Sequence, residues 1–314
     1  MRQHQSKNFL LLFITSLIWG VAFVAQSVGM DYVGPYTFNM VRSLLGGLVL
    51  IPAVLLLNKK SPEVSQSGET SEAAPMDKPK DLFISGLLCG VMLFISTSLQ
   101  QVGIIYTTVG KAGFITALYI IIVPILGIFL KRKAGIRVWI SVVISLFGLY
   151  LLCMSGSLSL NKGDFLILIC AFCFSVHIMI VDHFVVKVSG TKLSCIQFLV
   201  TAALSAIPMF LLETPRMSNI LQAWGPLLFA GVLSCGVAYT FQIIGQRGCD
   251  PTIACLILSL ESVVSVLAGW IILHQSLSAR EIVGCVLMFS AIILAQLNPK
   301  SQGETTTAAQ ETTV

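Results

Sequence analysis

Long apolar segments limit what this chain can fold into. About ten of them recur along the sequence, each near the roughly 20 residues that an α-helix needs to cross the hydrocarbon core of a bilayer. Most lack a polar face, which is typical of embedded helices rather than of helices that lie on a membrane surface. Membrane-spanning strands are not expected, because they alternate in polarity over only about ten residues. The segments are residues 9–28, 35–57, 82–102, 111–130, 136–154, 163–181, 194–212, 224–245, 252–273 and 281–297.

Charge is too scarce for a protein surrounded by water. Charged residues make up 11% of the 314 residues and hydrophobic residues 56%, whereas a soluble domain carries about 25% charged residues. This composition excludes a soluble enzyme, a nucleic-acid-binding protein and a disordered chain. We therefore expect an all-α integral membrane protein that contacts lipid and binds no nucleic acid.

Two segments differ from the apolar ones by their polar composition. Residues 58–81 are rich in Ser, Glu, Pro and Lys, and residues 298–314 are rich in Thr and Gln. Such compositions are typical of solvated, disordered chain. We predict a disordered loop and a disordered tail, and no soluble domain large enough to carry chemistry.

The distribution of basic residues predicts an orientation, because Lys and Arg concentrate in cytoplasmic loops. With the N-terminus taken as cytoplasmic and the segments alternating, the outer side holds few basic residues. Both termini are therefore predicted to be cytoplasmic, in a multi-pass protein of the cytoplasmic membrane. The cytoplasmic set is Arg2, Lys7, Lys59, Lys60, Lys78, Lys80, Lys131, Arg132, Lys133, Arg137, Lys187, Lys192, Arg247 and Lys300. The outer set is Lys162, Arg216 and Arg280, with Lys111 at a helix mouth.

The chain resembles itself at an offset of roughly 142–157 residues. Residues 101–113 match the setting of residues 242–254, and each segment leads into an apolar helix, a polar turn and a final helix. Each half would hold five spans, and an odd number forces the halves into opposite orientations, as in many transporters. We predict a first repeat at residues 1–154, which includes the loop, a second repeat at 155–297 and the tail at 298–314.

Several short motifs appear in a characteristic order. They are residues 17–20 (Leu-Ile-Trp-Gly), residues 34–38 (Gly-Pro-Tyr-Thr-Phe) followed by Arg42, residues 107–113, Pro124 and Gly148. With them, the chain over about residues 8–297 resembles the EamA-like branch of the drug/metabolite transporter superfamily. The resemblance implies a carrier of ten helices in two inverted five-helix repeats that moves small organic solutes, often outward. It does not imply a substrate. We expect no enzymatic activity, no cofactor and no metal.

Some positions depart from that family. The second repeat has Phe174-Ser175 where the first has Trp19-Gly20. The family often has Gly-Glu after the fourth and ninth helices, where this chain has residues 130–132 (Leu-Lys-Arg) and 273–275 (Leu-His-Gln). No role for a glutamate in those turns carries over.

Two charged residues lie deep inside predicted spans, away from the span ends, where a charge costs at least ~2.5–3.5 kcal/mol. Arg42 lies about two turns into the second helix and is suited to binding a carboxylate or phosphate of a substrate. Glu261 lies near the middle of the ninth helix, where a carboxyl group can exchange protons with a gradient or bind an amine. The alternative is that Arg42 and Glu261 form a structural ion pair. His177 in the sixth helix is a second candidate for proton coupling, with hydrogen-bonded packing as its alternative.

Aromatic and amide side chains supply the rest of the predicted substrate-binding set. Trp19, Phe23 and Gln26 share one side of the first helix, and Tyr239 and Gln242 share a face of the eighth. The alternative for each is core packing or contact between helices. The full predicted set is Trp19, Phe23, Gln26, Asn39, Arg42, Gln100, Gln101, Tyr239, Gln242 and Glu261.

The prediction is a secondary transporter that exports amino-acid-like or amphiphilic metabolites by alternating access. A membrane-embedded lipid-modifying enzyme is the first alternative, although clustered acids or a His/Glu metal motif are not found in the sequence. A passive channel is the second alternative, although no polar stripe lines the segments. Helices five and ten are the predicted surfaces for a homodimer.

Overall fold

A computed structural model describes residues 2–59, 78–107, 109–131, 135–153, 161–272 and 278–296. Every regular element in those ranges is helical. Of the predicted loop 58–81, residues 58–59 and 79–81 belong to the ends of two helices, and residues 60–77 lie outside the described ranges. The predicted tail 298–314 also lies outside them.

The helices follow the apolar segments. They are α1 (Arg2–Gly29), α2 (Pro35–Lys59), α3 (Pro79–Ile104), α4 (Val109–Thr116), α5 (Tyr119–Phe129), α6 (Ile136–Cys153), α7 (Lys162–Phe184), α8 (Gly190–Leu212), α9 (Met217–Gln222), α10 (Trp224–Leu228), a π-helical segment (Phe229–Ala238), α11 (Tyr239–Gln246), α12 (Pro251–Leu258), α13 (Leu260–Ile272) and α14 (Ala279–Gln296).

Within the described ranges, eight helical stretches are long and apolar enough to cross a membrane. Two shorter apolar helices, Ile136–Leu151 and Ile282–Leu294, stand where the fifth and tenth spans are predicted. Large apolar side chains cover the outside of the bundle, among them Phe129, Phe210 and Leu211. The chain is a multi-pass membrane protein, because only lipid accommodates such a surface.

Three of the spans are not continuous α-helices. The predicted segment 111–130 is divided into α4 and α5 by a turn at Ala117 and Leu118, and 252–273 is divided into α12 and α13 at Ser259. The predicted segment 224–245 contains the π-helical segment. The apolar sequence gives no sign of these changes, which are frequent at functional positions of membrane helices.

The helix bounds recur along the chain with two fixed separations. The ends of α1 and α7, Gly29 and Phe184, are as far apart in sequence as the starts of α2 and α8, Pro35 and Gly190. A second, shorter separation is common to the starts of α4 and α12 and to the ends of α3 and α11. The separation therefore changes once, between the second and third helices, where the longer polar loop of the first half lies.

Helices at matching positions pack on each other, α2 along α8 and α6 along α14. Helix α3 also packs on α8, through the small residues Gly86 and Gly90. A Cβ at Gly90 would lie 2.6 Å from the Cβ of Val200, so this close approach requires glycine. Small residues at such a spacing allow two membrane helices to pack closely.

The motif at residues 34–38 forms the start of α2. Pro35 occupies the first helical position, where its missing N–H costs nothing. Glu213, at the end of α8, accepts hydrogen bonds from the backbone N–H groups of Tyr36 and Thr37, each 2.8 Å long, and from the Thr37 hydroxyl at 2.6 Å. A Cβ at Gly34 would overlap this carboxyl group. The clamp therefore joins the two halves of the chain and places a negative group at a helix N-terminus.

We predict that Glu213→Ala lowers the free energy of unfolding by about 2 kcal/mol, because two backbone donors lose a charged acceptor. The measurement is denaturant unfolding of the purified protein in detergent. Asp31→Ala is the matched control, because Asp31 is exposed in the link between α1 and α2. Equal stability of the two variants would contradict the clamp.

Candidate binding cavity

One buried cavity lies where eight spans meet. Its walls come from α1, α2, α3, the α4–α5 break, α7, the π-helical segment with α11, and the start of α13, with Phe198 of α8 at one side. Nine of the eleven side chains predicted for binding or proton coupling line it. They are Trp19, Phe23, Gln26, Arg42, Gln100, His177, Tyr239, Gln242 and Glu261.

The cavity is small. About 40 Å³ is accessible to the centre of a water-sized sphere, and each water needs on the order of 10–15 Å³ by that measure. A few waters fit, whereas sites for small organic molecules are usually about 300–1,000 Å³. The cavity in this structure is therefore too small for such a molecule.

Arg42 marks one region of the cavity. Its Nη1 donates a hydrogen bond of 2.8 Å to Oε1 of Gln26, and its guanidinium lies 5.5 Å from the centre of the Phe38 ring. Nε2 of Gln101 in turn donates to the backbone oxygen of Gln26 at 3.2 Å. A guanidinium has five N–H donors, so this arrangement orients Arg42 and leaves donors for an anionic group.

Glu261 marks a second region, beside a helix break. It is the second residue of α13, so its carboxyl group lies near the positive end of that half-helix. Its Oε1 accepts a hydrogen bond of 3.0 Å from the hydroxyl of Tyr119, the first residue of α5. Both residues are only 3% exposed. The break thus brings an acidic group and a hydroxyl together deep in the bundle.

Arg42 and Glu261 do not form the ion pair that the sequence allows as an alternative. Among the residues that the structure describes, Arg42 bonds to Gln26 and Glu261 to Tyr119, and no ion pair joins the two. Both side chains nevertheless line the same cavity. Each is held by a neutral partner, so a ligand can replace or add to those contacts without breaking a salt bridge.

Aromatic rings form the wall around Tyr239. The ring centres of Trp19 and Tyr239 are 4.6 Å apart, and those of Phe198 and Tyr239 are 5.1 Å apart with the rings almost perpendicular. His177 meets the same tyrosine edge-on at 6.2 Å. Such packing fixes the rings in place, so the apolar wall is rigid beside two polar regions.

Several buried polar atoms of the cavity residues have no partner among the described residues. Nε2 of His177 lies 3.0 Å from Oε1 of Gln197, but Nδ1 of His177 has no hydrogen bond. The indole N–H of Trp19 and Oε1 of Gln242 have none either. Buried polar groups are normally hydrogen-bonded, so these atoms are available to water or to a polar ligand.

Two predicted binding residues lie outside the cavity lining. Gln101 is fully buried, and its side chain donates a hydrogen bond to the backbone oxygen of Gln26. Asn39 is also fully buried, and neither polar atom of its side chain has a hydrogen bond within the described ranges. Asn39 is close to Arg42 in sequence, and Gln101 follows Gln100. Arg42 and Gln100 line the cavity, but Asn39 and Gln101 do not.

Sequence reasoning also missed part of the lining. The missed residues are Ala22, Ser43, Thr97, Thr116, Tyr119, Phe174, Ile178, Phe198, Ser234 and Cys235. For Phe174 a signal existed, because it aligns with Trp19 in the repeat. Ser234 and Cys235 belong to the π-helical segment, which no local pattern announces. No group of three or more potential metal ligands occurs in the described part of the chain.

Comparison with known proteins identifies the family. The sequence model of the EamA-like transporter family matches residues 6–154 and again residues 161–297. This chain belongs to the EamA-like transporter family. It is therefore a member of a family of membrane transporters, consistent with a non-enzymatic role.

Named relatives cover nearly the whole EamA-like chain. An "Uncharacterized transporter" of Archaeoglobus fulgidus is 28% identical over 91% of this chain and 84% of its own length. YoaV of Bacillus subtilis, also named a transporter, is 22% identical over 92% of this chain and 96% of its own. The "inner membrane transporter YedA" of Escherichia coli K12 is 24% identical over 91% and 89%.

A solved structure shares the fold of this EamA-like chain. It is described only as "Crystal structure of protein", and it superimposes with a TM-score of 0.72 at 20% identity. The match covers 92% of this chain and 98% of the other. At that identity the likeness concerns the arrangement of helices alone.

Proposed function

We propose that this protein is a secondary transporter that exports small organic metabolites across the cytoplasmic membrane by alternating access. One observation carries the proposal: a single buried cavity combines a guanidinium, a carboxyl group and a rigid aromatic wall. A mostly apolar site with a few oriented polar groups suits amino-acid-like or amphiphilic solutes. The name of the E. coli relative supports the cytoplasmic membrane as the location.

The proposed architecture is ten spans in two inverted repeats, residues 1–154 and 155–297. Its support is the double match to the family and the recurrence of helix bounds with two fixed separations. Helices α6 and α14 serve as the fifth and tenth spans and pack mainly on each other. Their lipid-facing residues Val143, Phe147 and Val286 are exposed, and this is the surface we assign to a homodimer.

In the proposed binding mode, Arg42 holds a carboxylate or phosphate of the cargo. Glu261 binds an amine or exchanges protons, and Trp19, Phe23 and Tyr239 contact the apolar part. His177 is the second candidate for proton coupling. The sequence has no G-x-x-x-x-G-K-[ST] phosphate loop, so the driving energy comes from an ion or solute gradient.

The small size of the cavity supports alternating access. The present space is too small for a metabolite, so it corresponds to a closed state between two open ones. The half-helices α4, α5 and α13 border it next to their breaks, through Thr116, Tyr119 and Glu261, and broken helices are where transporters of this kind rearrange. Opening at either end would expose the same groups to either side of the membrane.

The main prediction concerns cargo transport. Proteoliposomes loaded with a mixture of labelled amino acids and related metabolites should release one or a few of them chemically unchanged. Arg42→Lys should weaken the apparent affinity for a transported anionic or zwitterionic member about tenfold, because lysine cannot form the bidentate contact. Mass spectrometry of the released solutes gives both results.

Arg216→Lys is the matched control, since Arg216 is exposed at the start of α9. Release of a chemically altered product would indicate an enzyme instead. Unsaturable, unselective flux would indicate a channel. Unchanged affinity of Arg42→Lys at normal expression would rule out the clamp.

A second prediction tests proton coupling. Glu261→Gln keeps an oxygen that accepts the Tyr119 hydrogen bond but cannot take up a proton. Accumulation driven by a pH gradient should therefore fall at least about tenfold, whereas exchange of labelled for unlabelled cargo persists. Asp31→Asn is the control. Gradient-driven transport equal to that of the unmodified protein would exclude Glu261 as the coupling group.

A third prediction tests the topology. Both termini should lie in the cytoplasm, as the distribution of Lys and Arg requires. In the structure, Nδ2 of Asn8 near the start of α1 donates to the backbone oxygen of Arg247 after α11 at 2.7 Å, so these two basic regions share one end of the bundle. Fluorescent-protein and phosphatase fusions to each terminus report the side, and active phosphatase at either terminus contradicts the assignment.

A further inference from the structure

Tyr119 and Glu261 occupy matching positions in the two halves of the chain. They are 142 residues apart, which is the separation of the starts of α4 and α12 and of the ends of α3 and α11. Each lies just after a helix break, Tyr119 as the first residue of α5 and Glu261 as the second residue of α13. The hydrogen bond between them therefore links the two halves at the same point of each.

Other cavity residues form matching pairs as well. Gln100 and Gln242 have the same separation in sequence as Tyr119 and Glu261. The pairs Trp19 with Phe174 and Phe23 with Ile178 have the longer separation, that of the ends of α1 and α7. All of these side chains line the cavity, so the two halves contribute equivalent positions to one space. The Tyr119–Glu261 pair stands out because its members bond directly to each other.

We propose that Tyr119 is the positioning residue for Glu261, and that their hydrogen bond holds the two broken helices together while the cavity is closed. This inference rests on the proposed transport function. The bond parts when the cavity opens to either side and forms again when it closes. A single hydrogen bond between a phenol and a carboxyl group is strong enough to favour the closed cavity and weak enough to break in each cycle.

The surroundings of the pair support this role. The hydroxyl of Ser262 donates a hydrogen bond of 3.0 Å to the backbone oxygen of Gly113, which joins α13 to α4 beside the pair. A cargo ammonium that reaches Glu261 offers a charged donor, which bonds to a carboxylate more strongly than a phenol does. Cargo binding would then release Tyr119 and loosen the contact between the half-helices.

Cys235 provides a test that does not depend on knowing the cargo. Its thiol is free, lines the cavity and is 3% exposed. The alkylation rate of Cys235 by N-ethylmaleimide in proteoliposomes, followed by peptide mass spectrometry, measures how often the cavity opens. Buried Cys89, which is 0% exposed and outside the lining, is the internal reference.

Tyr119→Phe should raise the alkylation rate of Cys235 about threefold to tenfold, because one hydrogen bond that favours the closed state is lost. Glu261→Ala should have a similar effect, and the double variant should be no faster than the faster single variant. Tyr150→Phe is the matched control, since Tyr150 lies on α6 away from the cavity. Its rate should equal that of the unmodified protein.

Exchange of the two residues separates positioning from packing. In the double variant Tyr119→Glu with Glu261→Tyr, each residue sits at the position that matches its original one, so the bond can form again with the roles reversed. Alkylation of Cys235 should return to within about twofold of the unmodified rate, whereas each single exchange stays fast. A residue that only fills space would show no such rescue.

The outcomes distinguish this inference from the proposed function. Unchanged Cys235 alkylation in Tyr119→Phe, with the protein monodisperse and Cys89 unreactive, would overturn the inference even if Arg42-dependent transport is present. Altered alkylation with rescue, but no transport of any solute in the mixture, would contradict the proposed function and leave the pair in place. If Glu261→Ala does not fold, Tyr119→Phe decides alone, because it removes a single oxygen atom.

Discussion

Lipid offers no hydrogen-bond partner to a polar side chain, and the rest of this structure follows from that constraint. A charge in a membrane span is costly unless it is held by the protein or faces a ligand. The bundle meets this requirement by collecting its membrane-depth charges, Arg42 and Glu261, in one cavity and giving each a neutral partner. The outside is left to large apolar side chains such as Phe129 and Leu211. The low overall charge and the location of both charges in one cavity thus both follow from the lipid surroundings.

Two helix breaks lie next to that cavity. At the α4–α5 and α12–α13 breaks the backbone hydrogen bonds tighten locally from a span of four residues to one of three, as from the Leu118 N–H to the Ile115 oxygen and from the Ser262 N–H to the Ser259 oxygen. Both breaks border the cavity and face each other through Tyr119 and Glu261. Under the proposed function, the residues that bind a solute therefore lie directly beside the breaks at which the helices move. A substitution at one of these residues would therefore affect both solute binding and helix movement.

Spacing and residue type predicted much of the site. Trp19, Phe23 and Gln26 lie on one face because of helical periodicity, and Arg42 and Glu261 were conspicuous because charge is rare in apolar segments. Tyr119 was missed because a tyrosine in an apolar helix is more often a packing residue, and its partner is far away in sequence. The π-helical segment left no trace in an apolar run whose residues suit an α-helix equally well. Asn39 shows that closeness in sequence is not sufficient, since it lies three residues from Arg42 and does not line the cavity.

The Glu213 clamp makes the two ends of the bundle unequal. It ties the start of α2 to the end of α8 with a carboxylate, whereas the matching position in the first half is Asn58, which carries no charge. The two ends of the bundle therefore differ in how strongly the halves of the chain are joined there. In the proposed transport cycle, an empty carrier built this way has a preferred resting side. That preference determines which side of the membrane the empty cavity faces. It does not determine the net direction of transport, which is set by the gradients across the membrane.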